Sequence, residues 1–379
     1  MPGRIVLYGA TGYTGALTAR AMVASGARPV LAGRDQGRLN ALAARFAQAG
    51  DGTKLETAVA GTQGPGPLRQ LLDAGDVLVS TAGPFLKIGR AAVAAAVDAG
   101  AIYLDSSGEP PFIRQVFEEF GPRAERTGAV LLTGFGYDYV PGNLAGALAL
   151  KAAGSAATRV QVGYFAPGNI REGTSAGTRA SAAGVLLEPG YAFRGGRVVS
   201  ERTAARVMSF EIDGKTRQAF SIGSSEHFAL PRLQAGPDGI PAPLTDVDVY
   251  LGWSGGATRL VHYASALATP LGRLPGVRRA LDKRARRIQA SRTQPREGKS
   301  IRSHVVALAG DASGRKLAAV HLTGTDPYSF TAAILAWAAG QAAARGVGPA
   351  GALGPVEAFG LGSLEAACAA AGFSRESPP

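Results

Sequence analysis

Cysteine is almost absent from this 379-residue chain, with Cys368 the sole example. That excludes an internal disulfide and any metal site built from cysteines, and it fits a reducing compartment. Histidine is nearly as scarce: His227, His262, His304 and His321 show none of the close spacing at which imidazoles share a metal. No apolar run approaches the roughly 20 residues of a membrane span. The N-terminal segment reads as a core strand, so the expectation is a cytoplasmic protein with no signal peptide and no transmembrane segment. Internal repeats are lacking. Acidic residues are outnumbered, 28 against 40 Lys and Arg, for a net charge of +12. Such a balance suits an acidic partner or nucleic acid, but no nucleic-acid motif accompanies it and nucleic acid is not expected.

Glycine is plentiful, 53 residues in all, and three of them carry the first functional signal. The apolar run Ile5-Val6-Leu7-Tyr8 leads into Gly9-Ala10-Thr11-Gly12-Tyr13-Thr14-Gly15. A strand entering glycines spaced G-x-x-G-x-x-G, followed by a helix over 16–25, is a variant of the dinucleotide fingerprint. One glycine makes the turn, one admits a pyrophosphate to the backbone, and one lets the helix pack on the strand. The free N–H groups at the helix start then face the phosphates. Gly9, Thr11, Gly12, Tyr13, Thr14 and Gly15 are therefore the expected cofactor-binding residues; the alternative is a glycine-rich turn with no ligand. The second strand ends at Gly33-Arg34-Asp35. An NAD site usually places an acidic residue there to bond the ribose. Arg34 suits a 2′-phosphate instead, which a guanidinium can hold with two parallel bonds, so the cofactor expected is NADP(H). Arg38 stands one turn further on to assist. Asp35 serves either as a helix cap or as a ribose ligand.

Strands and helices alternate through the first third of the chain. Helices are expected near 36–49, 68–72, 89–99 and 111–127, with strands near 55–59, 76–81, 102–105 and 129–133. The pattern predicts an α/β fold with a Rossmann-type, doubly wound parallel sheet over 1–150. From Arg159 the texture changes to alternating strand-like segments with turns at Asp213-Gly214 and Pro237-Asp238-Gly239, one helix near 174–187, and a hairpin over 303–323. This predicts a second α+β domain over 151–339 with a mixed, mostly antiparallel sheet. A helix over 328–345 and another over 361–373 lead to the expectation that 340–379 rejoins the first domain.

In an open α/β sheet the ligand lies beyond the carboxyl ends of the strands, where 9–15, 33–38, 81–86 and 134–141 converge. Ala82, Gly83 and Pro84 are either a passage for the dinucleotide close to the backbone or simply a tight turn. Hydride transfer also needs an acid to complete the reduction. Candidate proton donors are Tyr137, Asp138, Tyr139, Glu109 and Tyr103, of which Tyr137, Asp138 and Glu109 are the expected catalytic residues. Asp138 and Glu109 have a structural alternative as helix caps. No Tyr-x-x-x-Lys pair of the short-chain dehydrogenase type stands at a matching place. Hydroxyls and Arg179 in Gly173–Arg179 either bind a substrate anion or cap a helix. The segment 273–302 holds eleven Lys or Arg residues against Asp282 and Glu297. It is either a solvated helix or a docking surface for an acidic carrier protein or an anionic membrane.

Six segments together resemble the saccharopine dehydrogenase-like oxidoreductases, in particular the bacterial branch that includes trans-acting enoyl reductases. They are Val6–Gly15, Ala82–Phe85, Ser107–Pro110, Gly134–Leu144, Asp326–Ala332 and Gly348–Pro355. One departure is local. Where the family often has Gly-Phe-Asp-Ser-Val-Pro, this chain has Gly136-Tyr137-Asp138-Tyr139-Val140-Pro141. The resemblance implies an N-terminal Rossmann domain rejoined by the C-terminal segment, a nicotinamide cofactor and reductase activity. The function expected is NADPH-dependent reduction of a C=C or C=N bond in a small or carrier-bound biosynthetic intermediate, by an enzyme that is a possible homodimer. A saccharopine-type amino-acid dehydrogenase and a nucleotide-binding protein without turnover are the alternatives.

Overall fold

Short runs of Val, Ile, Leu and Ala with no polar alternation form strands buried on both faces, as parallel sheets require. Five of them do so here: β1 (Ile5–Tyr8), β2 (Val30–Gly33), β4 (Val77–Ser80), β5 (Ile102–Asp105) and β6 (Val130–Leu132). The computed structural model describes residues 2–49, 54–61, 63–166, 189–235, 243–253, 255–271, 302–324 and 326–376, together with residue 276. With β3 (Thr57–Val59) and β15 (Gly351–Ala352), these strands make an all-parallel sheet in the order β15-β6-β5-β4-β1-β2-β3. The order reverses between β1 and β4, the switch point where this class of sheet opens a crevice. The helix Pro327–Arg345 packs on the helix Tyr13–Ala24 and against β1, β4 and β5. The expected helix over 111–127 is broken by a π turn at Val116–Phe120 between Pro110–Gln115 and Gly121–Thr127.

A second sheet contains β7 (Arg159–Phe165), β8 (Pro189–Arg194), β9 (Arg197–Arg202), β10 (Val207–Ile212), β11 (Lys215–Ser221), β12 (Asp246–Leu251), β13 (Ser303–Gly310), β14 (Lys316–Gly324) and β16 (Phe373–Arg375). Its main path runs β10-β11-β12-β7-β13-β14-β16, and β8 branches from β12 to carry β9. Only the β7–β12 pair is parallel among the described strands, so the sheet is mixed and mostly antiparallel, as expected. The Asp213-Gly214 turn closes the β10–β11 hairpin, both residues in the left-handed region at φ +51° and +66°. The β8–β9 hairpin turns the same way through Gly195-Gly196, a dipeptide signal that the sequence reading passed over. The expected helix over 361–373 stops at Ala370. Gly372, at φ +87°, turns the chain, and Phe373 lies over Gly324, where any side chain would collide with the ring.

The chain divides into two units: 1–107, 112–138 and 327–353 form one, and 108–111, 139–326 and 354–379 the other. These limits differ from boundaries at 150 and 340. The helix Val140–Ala153 lies against β7, β13 and β14 of the second unit, and the C-terminal helices lie against that same helix. The expected helix at 174–187, the Pro237-Asp238-Gly239 turn, Gly173–Arg179 and nearly all of 273–302 lie outside the described residues.

Candidate functional site

The glycine turn divides its labour among its three glycines. Gly9 sits at φ +83°, and a Cβ there would come within 2.9 Å of Ala82 N. At Gly15 a Cβ would fall on Gly9 O and within 2.8 Å of Thr81 Oγ1, so only glycine lets the helix start this close to the strand. Gly12 is exposed and meets only Gly9 O at 3.2 Å. Gly12 is also the N-cap of the helix Tyr13–Ala24. It offers no capping side chain, and no acidic residue stands in the first turn. A 12-residue helix therefore presents uncapped N–H groups and the positive end of its dipole at the carboxyl edge of β1. Tyr13 meets Tyr328 edge to face at 5.1 Å, which ties this turn to the start of the helix Pro327–Arg345. Thr14 accepts a hydrogen bond from Thr18 through its carbonyl oxygen.

Arg34 is exposed just past β2. Burial raises the Tyr8 phenol, and the nearby Arg34 guanidinium opposes that shift. Arg38 donates to Thr11 O at 2.9 Å, so a second guanidinium already rests on the turn. Asp35 accepts the Arg38 backbone N–H at 3.0 Å and so caps the helix Gln36–Ala49. That bond engages one of its two carboxyl oxygens, Oδ1. On the other side of the switch point, Ala82, Gly83 and Pro84 leave β4. A Cβ at Gly83 would meet only Phe85, its ring and its backbone N, at ordinary contact distance, so packing does not demand glycine there.

The loop after β6 is pinned from below. Tyr137 N–H donates to Thr331 Oγ1 at 3.0 Å, and a Cβ at Gly136 would lie 2.8 Å from Thr331 Cγ2. Tyr137 is buried. Asp138 keeps part of its surface in solvent, yet enough protein surrounds its carboxyl that burial pushes it up to about 6. Its carboxyl has no hydrogen bond or ion pair among the described residues. The helix Val140–Ala153 takes Tyr139 as its N-cap with no side-chain cap, so Asp138 does not cap it. The first unit thus brings together the glycine turn, Arg34, Ala82–Pro84, Tyr137 and Asp138. Glu109 belongs to the second unit, buried just ahead of the helix Pro110–Gln115, where Tyr139 OH donates to Gly108 O at 3.4 Å.

Three polar groupings were not singled out as candidates from the sequence. In the first unit, Asp105 ends β5 fully buried, and burial raises its carboxyl to about 6. An acidic residue closing an apolar strand was the available signal. In the second unit, Tyr164 OH donates to Glu226 Oε1 at 2.5 Å, and Asn143 Nδ2 donates to Ser225 Oγ at 3.0 Å, all four residues being buried. Beside them burial lowers His227 to about 3, keeping its imidazole neutral against Ser224. His304 and His321 also meet, Nδ1 to Nε2 at 3.1 Å, because β13 and β14 pair. No cluster of three or more metal-ligating side chains is found among the described residues.

Residues 5–132 match the model of the saccharopine dehydrogenase NADP binding domain. Over 142 residues, 37% of this chain, the sequence is 35% identical to a trans-acting enoyl reductase of Mycobacterium tuberculosis and 34% identical to one of Mycobacterium ulcerans. The matched part spans about a third of those relatives, 34% of each. In structure the whole chain aligns with the whole of apo saccharopine dehydrogenase (L-Glu forming) from Saccharomyces cerevisiae, at a TM-score of 0.58 and 12% identity, a likeness of fold. Residues 5–132 are therefore similar in sequence to saccharopine dehydrogenase NADP-binding domains, and the chain as a whole is similar in fold to a saccharopine dehydrogenase.

Proposed function

We propose that this protein is an NADPH-dependent reductase of a C=C or C=N bond, acting on a small or carrier-bound intermediate. The uncapped helix start at Gly12, with Arg34 and Arg38 beside it, supports binding of the pyrophosphate and 2′-phosphate of NADPH. The observation that carries the reaction is Asp138, a partly enclosed carboxyl raised to about 6 with no partner among the described residues, on the loop that follows β6. A carboxyl shifted toward neutral pH and left unpaired suits a general acid. NADPH supplies the hydride when bound. Asp138, protonated, delivers a proton to the atom adjoining the one reduced and recovers a proton from water. Tyr137 and Thr331 hold the loop that carries it. Glu109 and Tyr137 remain the other candidates for proton delivery.

NADPH consumption against a panel of 2-enoyl thioesters, free and attached to an acyl carrier protein, and against 2-oxo acid plus amino acid pairs tests this reading. Turnover of the thioesters supports enoyl reduction, in keeping with the names of the mycobacterial relatives. Turnover confined to the amino-acid pairs favours a saccharopine-type dehydrogenase. NADPH binding without turnover of any substrate favours a nucleotide-binding protein. Because the acid acts in its protonated form, kcat should fall as pH rises through about 6, approaching tenfold per unit above it.

A further inference from the structure

The parallel register sets Ser80 opposite Asp105 on neighbouring strands, and Tyr103 precedes Asp105 by two residues on the same face. Thr133 follows directly on β6. All four side chains are buried, Asp105, Ser80 and Tyr103 completely. The hydroxyls of Tyr103 and Thr133 face the Asp105 carboxyl closely enough to favour its charged form, although Oδ2 has no aligned hydrogen bond among the described residues. The other oxygen is committed. Oδ1 accepts the backbone N–H of Ser107 at 2.8 Å and that of Gly134 at 3.0 Å, while the Asp105 carbonyl accepts Phe135 N–H at 2.6 Å. One residue thus fastens the chain leaving β5 to the chain leaving β6.

A carboxyl inside a parallel sheet is costly unless it is hydrogen-bonded, and here its bonds go to loop backbone, not to a partner charge. Those loops lie at the carboxyl ends of the half-sheet β4–β6. In this strand order each half takes one mononucleotide. The glycine turn and Arg34 give the β1–β3 half to the adenosine 2′-phosphate, so the nicotinamide is left to β4–β6. We propose that Asp105 is a positioning residue which sets the loops at 106–107 and 134–135 for the nicotinamide half of NADPH, an inference that rests on the NADPH reading above.

Calorimetric titration of NADPH and of adenosine 2′,5′-bisphosphate, the half lacking nicotinamide, tests it on wild type, Asp105→Leu and Asp105→Asn. Leucine matches the carboxyl in size without an acceptor, whereas asparagine keeps one carbonyl oxygen for the two N–H groups. NADPH should weaken by about tenfold or more in Asp105→Leu and by under about threefold in Asp105→Asn, with the bisphosphate within about twofold in both. Equal weakening of both ligands in Asp105→Leu, or no weakening of NADPH, overturns the proposal. Should Asp105→Leu fail to fold, the wild-type amide NMR signals of Ser107 and Gly134 decide: they should move with NADPH and not with the bisphosphate. Absence of an NADPH-specific movement overturns the proposal. Bisphosphate binding with no nicotinamide effect defeats the Asp105 role alone, while failure of wild type to bind either ligand defeats the cofactor reading too.

Discussion

The two sheets keep polar groups in their interiors for different reasons. In the parallel sheet every strand delivers its carboxyl end to one edge, so Gly9, Arg34, Ala82, Asp105 and the loop to Asp138 gather there by topology alone. In the mostly antiparallel sheet and the elements packed on it, Tyr164 meets Glu226, and His304 meets His321, only because particular strands and helices pair at particular registers. A parallel sheet concentrates chemistry at an edge that can be inferred from strand order. An antiparallel sheet scatters polar pairs through its packing, where they serve stability first.

If that contrast is right, the largest effect on turnover should come from the parallel edge. Asp138→Asn should lower kcat by about 10²-fold or more, with NADPH affinity within a few-fold. A loss of melting temperature with full activity per folded molecule would instead make Asp138 structural. Next is the pH dependence of stability. Burial raises Asp105 from 3.8 to about 6 in the folded chain, so the folded state binds its proton more tightly than the unfolded state does. Stability from this group is therefore gained as pH falls from about 6 toward 3.8 and is lost as pH rises through that window, by up to about 3 kcal/mol. Asp105→Asn should flatten that slope, as measured by denaturant midpoints at several pH values; an unchanged slope would count against a buried, titrating Asp105.

The second unit supplies the control. Tyr164→Phe removes the donor to Glu226 Oε1 and should destabilise the protein by about 1–3 kcal/mol while leaving NADPH affinity unchanged. A loss of NADPH affinity of about tenfold or more would break the comparison. Arg34→Ala should erase a preference for NADPH over NADH of about tenfold, equivalent to about 1.4 kcal/mol, in paired binding titrations. Equal affinity of the wild type for both cofactors would remove the role of Arg34. The smallest effect belongs to the basic segment 273–302. Replacing Arg278, Arg279, Arg284 and Arg287 by Ser should reduce kcat/KM for carrier-bound substrate a few-fold at low salt, with little change for a free analogue.

The parallel sheet was legible because its signals are local. A glycine triplet, an arginine at a strand end and apolar runs closed by Gly-Pro each announce themselves within a few residues. Asp35 could not be settled that way, since capping and ribose binding call for the same residue at the same place; the Arg38 N–H on its Oδ1 establishes the cap and does not bear on the ribose. Asp105 escaped notice because its role depends on Gly134, a long-range backbone partner. The same limit hid the second unit's polar interior. Glu226 and Tyr164 are 62 residues apart and become a pair only after β7 and the helix Glu226–Ala229 have packed. The strand Phe373–Arg375 was lost because an alanine-rich helix precedes it and Gly372 alone marks the break.

The helix Pro327–Arg345 and β15 complete the parallel unit from the far end of the chain. A nascent chain halted before residue 327 would hold the glycine turn and six of the seven strands, yet the faces of β1, β4 and β5 and of the first helix would lack their covering helix. The nucleotide-binding unit is thus begun before the second unit and completed only after most of it. Such delayed long-range closure slows folding and prolongs the exposure of apolar surface.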